Sequence, residues 1–417
     1  MFANLKQIFN PKNRDLQKRI LFTLAALFVF KIGTSIIVPG VNANTSGMKF
    51  LEIMDAMSGG AFANASIFAL GVSPYITASI VIQLLSADIV PYLSELKNQG
   101  GVGRKKLDQI TRIVGIGLAF LQGYLYSYAY IGSGTAMDYM LYSLILTAGT
   151  ALVMWIADQI TSKGIGNGMS LIIMAGIISV LPNMFKNLWI ELFSKGFIGI
   201  VIFIAFVLVF IGIIVGVIYV ESAERRIPIQ YANKSTSTLG KQSYIPFKLN
   251  SSGVMPVIFA SALMSIPQIL ASVINKKGFT LFVTNYLTYT NGVGLIIYIV
   301  LILLFAYFYT FMQLKPSEMA DNLNKNGGYI PGIRPGKDTT EYVKTVLKRI
   351  TVVGAVFLTT LSVLPILFDK VSNLTTSITI SGTGLLIVVG VALETYKQIE
   401  SQLVSRTYTK GRKGRRR

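Results

Sequence analysis

Apolar residues in this chain come in long runs rather than at every second or third position. The runs lie at about 20–38, 71–90, 110–130, 139–159, 168–185, 197–220, 254–274, 292–314, 350–368 and 379–398. Each approaches the roughly 20 residues that a helix needs to cross a bilayer. The pattern therefore predicts ten transmembrane helices, and an even number puts both termini on one side. Ten spans make two sets of five, and an odd number per set gives the sets opposite topology, the arrangement of inverted-repeat membrane proteins. Several runs are interrupted, by Gly71, Pro74, Gly176, Pro182, Pro256 and Pro267. Interrupted spans usually line cavities, because lipid cannot satisfy the backbone groups they free; packed membrane helices also tolerate single Pro and Gly residues.

The stretch 51–66, LEIMDAMSGGAFANAS, does not fit this pattern. It is only moderately apolar, carries Glu52 and Asp55, and is rich in Gly, Ala and Ser. Too short and too polar to span, it is expected to form a re-entrant half-helix that is buried in protein or lines water.

Charge orients the pattern. Of 38 Lys and Arg residues, 31 fall in the tail 1–19, in the loops near 91–112, 160–169, 221–250 and 315–349, and in the segment 397–417. The alternate loops hold six, Lys49, Lys186, Lys195, Lys276, Lys277 and Lys370, while Lys31 lies inside the first run. The positive-inside rule makes the rich face cytoplasmic and places both termini there. So basic a face suits an anionic or acidic partner. The chain thus reads as a basic tail (1–19), an N-terminal half with spans one to five and the entry of span six (20–220), a cytoplasmic loop (221–250), a C-terminal half with spans seven to ten (251–398) and a second basic tail (399–417). No cleavable signal peptide is expected: the first run is long, and no clear small-x-small site follows it.

The chain is 52% hydrophobic and contains neither cysteine nor histidine. Disulfides, thiolate nucleophiles and Cys-ligated metals are excluded, and the commonest general base and metal ligand is missing. No GxxxxGK[ST] loop is present, so no Walker-type nucleotide site is expected. A secondary transporter of small solutes would call for ionisable residues at mid-membrane; apart from Lys31, charges fall at span ends or in loops. An intramembrane hydrolase has only a formal Ser–Lys dyad through Lys31 to draw on. The expectation is a non-enzyme with no cofactor and no metal.

Four stretches carry more specific information: Ala65–Leu85 (ASIFALGVSPYITASIVIQLL), Met154–Ser170 (MWIADQITSKGIGNGMS), Glu224–Asn233 (ERRIPIQYAN) and Ala320–Tyr342 (ADNLNKNGGYIPGIRPGKDTTEY). With GTGLLIVVGVALETYKQIESQL at 382–403, they closely resemble the SecY family, the channel subunit of the general protein translocase, in register from the first span to residue 403. The resemblance implies an all-α polytopic membrane protein. Ten transmembrane helices in two inverted five-helix halves would surround a central pore, with 51–66 as a short re-entrant plug helix. It implies a passive protein-conducting channel in the bacterial plasma membrane, which passes unfolded preproteins across and releases transmembrane segments laterally. The engine would be the SecA ATPase or a translating ribosome. Further implied partners are SecE and SecG, signal peptides and nascent chains; the basic loops also suit acidic membrane lipids.

Residue roles follow from the same likeness. Two X-Pro dipeptides and four glycines in GGYIPGIRPG prevent a regular helix and present Arg334 and Lys337 at a loop tip. Alone this reads as a solvated basic loop; by resemblance it docks the motor or the ribosome. Arg225 and Arg226 suit either anchoring to acidic lipid or, by resemblance, a second docking loop. Ile76 and Ile80 lie four apart on one helix face, as do Ile173 and Ile177. Spacing alone fits lipid-facing or core residues. The resemblance places Ile76, Ile80, Ile173, Ile177, Ile258 and Ile387 in an apolar pore ring, which resists wetting when the pore is empty. Asp55, Ser58, Gly59 and Gly60 fall in the plug. Gln83 and Gln122 are assigned to the polar part of a lateral gate between spans two and seven, with interhelical hydrogen bonding as the plain alternative. Lys31 is expected to snorkel or face another subunit. The tail TKGRKGRRR at 409–417 lies outside the family pattern and is expected to be disordered.

Overall fold

The computed structural model describes residues 13–39, 58–62, 64–87, 89–131, 134–193, 196–231, 243–274, 277–288, 291–372 and 380–414. Asp55 of the expected plug lies outside them. The N-terminal elements are helices: α1 (Arg14–Gly33), α2 (Ser73–Leu85), α3 (Pro91–Asn98), α4 (Gly101–Ile131), α5 (Ala136–Lys163), α6 (Gly168–Phe193) and α7 (Phe197–Ser222). Strands β1 (Glu224–Tyr231) and β2 (Ser243–Lys248) follow. Next come α8 (Met255–Ile274), the short α9 (Lys277–Phe282) running into a π-helical turn (Val283–Leu287), α10 (Gly292–Gln313) and α11 (Pro316–Lys325). The chain ends with β3 (Gly328–Tyr329), α12 (Lys337–Ser372) and α13 (Ile380–Gly414).

Every apolar run overlaps one of these helices. Among the described residues, five helical stretches are long and apolar enough to cross a membrane: Ala136–Lys163, Gly168–Phe193, Phe197–Ser222, Gly292–Lys325 and Lys337–Leu364. The second run is different. Pro74 opens α2 at its first turn, where a missing N–H costs nothing. The 13 residues of α2 reach only about 20 Å at 1.5 Å per residue, short of a bilayer core. What precedes α2 is turns rather than helix: of the expected half-helix, only Ser58 is helical among the described residues.

The first run also departs from expectation. Helix α1 stops at Gly33, and residues 36–38 instead meet residues 65–67. Ile67 N–H donates to Ile36 O (3.0 Å), Val38 N–H donates to Ala65 O (3.1 Å), and Ile37 bridges Ser66. At the other end of the chain, α13 continues through the basic tail as far as Gly414, where disorder was expected. Lys and Arg are good helix formers, and extending a helix avoids the cost of nucleating one.

The chain divides into two compact units: residues 1–206 with 269–276 and 373–417, and residues 207–268 with 277–372. In the first, α4 packs on both α2 and α5, around Phe62, Ala65, Leu70, Ala119, Tyr126, Tyr142 and Leu146. Ser143 Oγ donates to Phe120 O (2.6 Å), a side chain of α5 reaching the backbone of α4. The GIGNG turn fastens both ends of the chain: Ile165 N–H donates to Thr23 Oγ1 (3.1 Å) and Gly166 N–H to Gln398 Oε1 (3.0 Å). Leu16, Ile165 and Leu403 are buried together beside it. In the second unit, α10 and α11 pack on α12, and the three strands form one sheet in the order β2-β1-β3.

The close approach of α5 to residues 66–68 depends on a missing side chain. A Cβ added at Gly149 would lie 2.0 Å from the Ile67 carbonyl oxygen, a backbone atom that cannot swing away. Gly149→Ala is expected to cost about 2 kcal/mol by overpacking, read as a lowered thermal midpoint of the purified protein in detergent. An unchanged midpoint would show that α5 is not held so close to residues 66–68.

Candidate functional site

The six isoleucines sit on four helices: Ile76 and Ile80 on α2, Ile173 and Ile177 on α6, Ile258 on α8 and Ile387 on α13. None is more than 9% exposed, whereas Ile198 and Leu208 on α7 are 69% and 65% exposed. A lipid-facing side chain stays open on the protein surface, as those of α7 do, so these six are not lipid-facing. In the first unit α6 packs against α13. Ile177 Cγ2 lies 3.0 Å from where a Cβ of Gly384 would stand, and Ile387 is one turn further along that face. Ile258 belongs to the second unit, among buried Val257, Phe259 and Ala260.

Ser58, Gly59 and Gly60, expected from the sequence to lie in a plug, form a sharp turn. Gly59 and Gly60 have φ of 75° and 84°, a region that L side chains disfavour. Ser58 Oγ accepts from Phe62 N–H (3.1 Å) and closes the turn. A Cβ at Gly59 would stand 3.0 Å from Gly176 Cα, so the turn lies directly on the backbone of α6. The Lys31 side chain, exposed at the end of α1, reaches this turn. Its Nζ donates to Gly59 O (3.0 Å) and to Ser179 Oγ (3.1 Å). The Ser179 hydroxyl in turn donates to Gly176 O (2.8 Å), with Gly59 O 3.2 Å away. The sequence marked Lys31 as anomalous but gave no sign of its partners, 28 and 148 residues away.

Gln83 and Gln122 stand on the packed helices α2 and α4. Gln83 Nε2 donates to Ser79 Oγ (3.0 Å), one turn back on its own helix. The buried Oε1 atoms of Gln83 and Gln122 have no hydrogen-bond partner among the described residues.

The basic loops, read from the sequence as separate, form one body in the second unit. β1 pairs antiparallel with β2 and, through Gln230–Tyr329 and Tyr231–Gly328, with β3 from the other loop. Tyr329 Oη donates to Gln230 Oε1 (2.9 Å) across that join. Beneath the sheet, Ile227, Ile229, Phe247, Leu323, Ile330, Val343 and Leu347 are buried together. Alternation along β1 puts Ile227 and Ile229 inward and Arg226, Pro228 and Gln230 outward. Arg226 is already engaged: its Nε is 2.8 Å from Glu224 Oε1, and its guanidinium lies 4.8 Å from the Tyr244 ring centroid. Arg225, Arg334 and Lys337 are exposed. Gly332 and Gly336, with φ of 82° and 101°, turn the chain on either side of Arg334. Thr339 Oγ1 donates to Arg334 O (2.8 Å), which fixes the backbone at the loop tip while leaving the guanidinium clear.

The SecY family model matches residues 66–396. The chain is 45% identical over 413 residues to the protein translocase subunit SecY of Bacillus subtilis (strain 168), spanning 94% of this chain and 96% of that protein. Its fold is that of a SecY protein whose plug domain is described as stabilising the closed state of the translocation channel and maintaining a membrane seal. That likeness has a TM-score of 0.69 at 19% identity, over 94% of this chain and 93% of the other. It is also similar to Sec61 of the canine ribosome-channel complex from the endoplasmic reticulum, with a TM-score of 0.63 at 18% identity and the same coverage. The motifs, the broken second span and a match that runs the length of the chain agree: this membrane protein belongs to the SecY family.

Proposed function

We propose that this chain is the channel subunit through which unfolded preproteins cross the bacterial plasma membrane and from which transmembrane segments leave sideways into lipid. The observation that carries this reading is the segment 58–72. Non-helical backbone among apolar helices is tolerated only when it is buried in protein or lines a water-filled path, and here it is packed on α6 and α5. The apolar ring that the family resemblance assigns is made of buried isoleucines, Ile76, Ile80, Ile173, Ile177, Ile258 and Ile387. Residues 51–66, with Asp55, Ser58, Gly59 and Gly60, form the plug. The unpaired amide oxygens of Gln83 and Gln122 mark the polar part of the lateral gate, where a signal peptide would supply the missing donors.

The chain is a passive pore without catalysis or cofactor, and the work is done from the cytoplasm, where both termini lie. The platform built from β1, β2, β3 and the 328–337 loop is the docking face for SecA or for ribosomal RNA, whose phosphate contacts are salt-sensitive. SecE and SecG complete the complex, and acidic lipids neutralise the remaining basic surface.

Geometry ranks the docking arginines. Arg334→Glu, reconstituted with SecE in liposomes, is expected to lower SecA- and ATP-driven translocation of a signal-bearing preprotein about tenfold, the loss of roughly one charge-assisted contact, with assembly intact. Arg226→Glu, whose guanidinium is already spent on Glu224 and Tyr244, should have a smaller effect. Full transport by the Arg334 variant would remove it from the docking face, and uptake of a small solute without preprotein transport would overturn the channel reading itself.

A second outcome concerns the ring. Ile76→Ser combined with Ile177→Ser should raise resting ion conductance in planar bilayers several-fold, because a hydroxyl lining favours wetting. Unchanged conductance would take both residues out of the ring.

A further inference from the structure

The one charge inside the first span is aimed at the segment that blocks the pore. Lys31 lies in the last turn of α1, and its position is fixed independently of its side chain. Thr34 Oγ1 donates to Lys31 O (2.7 Å), the rings of Phe30 and Phe68 stack at 6.0 Å, and a Cβ at Gly33 would stand 1.9 Å from the Phe68 ring. The end of α1 is therefore pressed onto residues 66–68 by packing alone. The Nζ group, with three donors and no acceptor, is left to bind oxygen, and it takes the Gly59 carbonyl on one side and the Ser179 hydroxyl on the other. Gly59 forms the turn midway along the segment 51–66, and Ser179 is on α6, the helix that also carries Ile173 and Ile177.

We propose that Lys31 is the positioning residue that holds the plug shut: its Nζ ties the Gly59 carbonyl to Ser179 of α6, and this tie breaks before the plug can leave. The proposal rests on reading 51–66 as the plug. Charge-assisted hydrogen bonds are the stronger kind, yet both acceptors are neutral. The hold is thus firm enough to bias an empty channel and weak enough for an arriving chain to release. Gly59 and Gly176 permit the contact, since a Cβ at Gly59 would separate the turn from α6.

The absence of cysteine makes the test clean. Ser58→Cys places the only thiol in the protein at a position 2% exposed in the resting structure. The full chain, reconstituted with its translocase partner subunits, is treated with a water-soluble maleimide, and the labelling rate is followed. With Lys31 in place, labelling should be slow at rest and fast once SecA, ATP and a stalled preprotein are added. If the preprotein changes nothing, the plug reading falls, whatever Lys31 does. Adding Lys31→Met should raise resting labelling about tenfold, equivalent to about 1.4 kcal/mol of lost bias, with a matching rise in resting ion conductance. Adding Lys31→Arg should restore the slow rate, because the donors return. Methionine in a membrane helix is easier to insert than lysine, so this variant will be assembled. Ser179→Ala, which removes one of the two anchor oxygens, should give a smaller increase. A resting rate in Lys31→Met equal to the parent's, or an arginine variant labelled as fast as the methionine one, would overturn the proposal while leaving the plug reading standing.

Discussion

A backbone that leaves the helix inside a membrane has to find a protein partner for each amide and carbonyl it frees, because lipid offers none. That constraint governs the first unit. The turns from Ser58 to Val72 are satisfied piece by piece: Phe62 N–H by Ser58 Oγ, Ser66 N–H by Ala61 O, Ile67 N–H by Ile36 O, Gly71 N–H by Phe68 O, and Gly59 O by Lys31. Satisfying them demands close contact, and close contact demands small residues. Gly149 admits the Ile67 carbonyl, and Gly59 lies against Gly176. The interruptions at Gly71, Pro74 and Gly176 are thus parts of one arrangement in which irregular backbone is kept inside a helical wall.

The second unit solves a different problem with different means. Two polar loops, about a hundred residues apart in the chain, become one rigid body because β1 serves as the central strand for both. Its inward isoleucines share a core with Leu323, Ile330, Val343 and Leu347 from the other loop. Rigidity is what separates a docking surface from a pair of charged tails. It also distinguishes among charges that look alike in the sequence: Arg226 is consumed by its own strand neighbours, while Arg334 is carried on a fixed backbone with its side chain open.

The helices were legible because uninterrupted apolar runs have few other readings, and the family was legible because its glycine- and proline-rich motifs are so specific. The sheet was not. Only Ile227 and Ile229 alternate with polar residues in β1, Pro228 lies between them, and two residues make up β3. Composition around those positions is that of a loop, and tertiary pairing overrides it. Burial of the six isoleucines could not be read from i, i+4 spacing, which is the same for lipid-facing, core and pore-lining residues. Nor could the sequence show that Gln83 satisfies its amide nitrogen within its own helix. Lys31 was visible as an oddity and opaque in purpose, since its contacts join three segments that only the fold brings together.

The same reasoning explains why the residue at position 31 is charged at all. A lysine near the end of a span still costs more to insert than an apolar residue, and a packing role would be met by methionine without that cost. A carboxylate partner would recover more of it but would make a buried ion pair, which is strongly destabilising to break because one charge is left uncompensated. A lysine bound to a carbonyl and a hydroxyl lies between these extremes. Were the turn at Gly59 to withdraw as proposed, the ammonium would keep Ser179 and reach water, and no opposite charge would be stranded. A channel that must seal at rest and open for each arriving chain calls for a contact of this intermediate kind, and the neutral oxygens of Gly59 and Ser179 suit it.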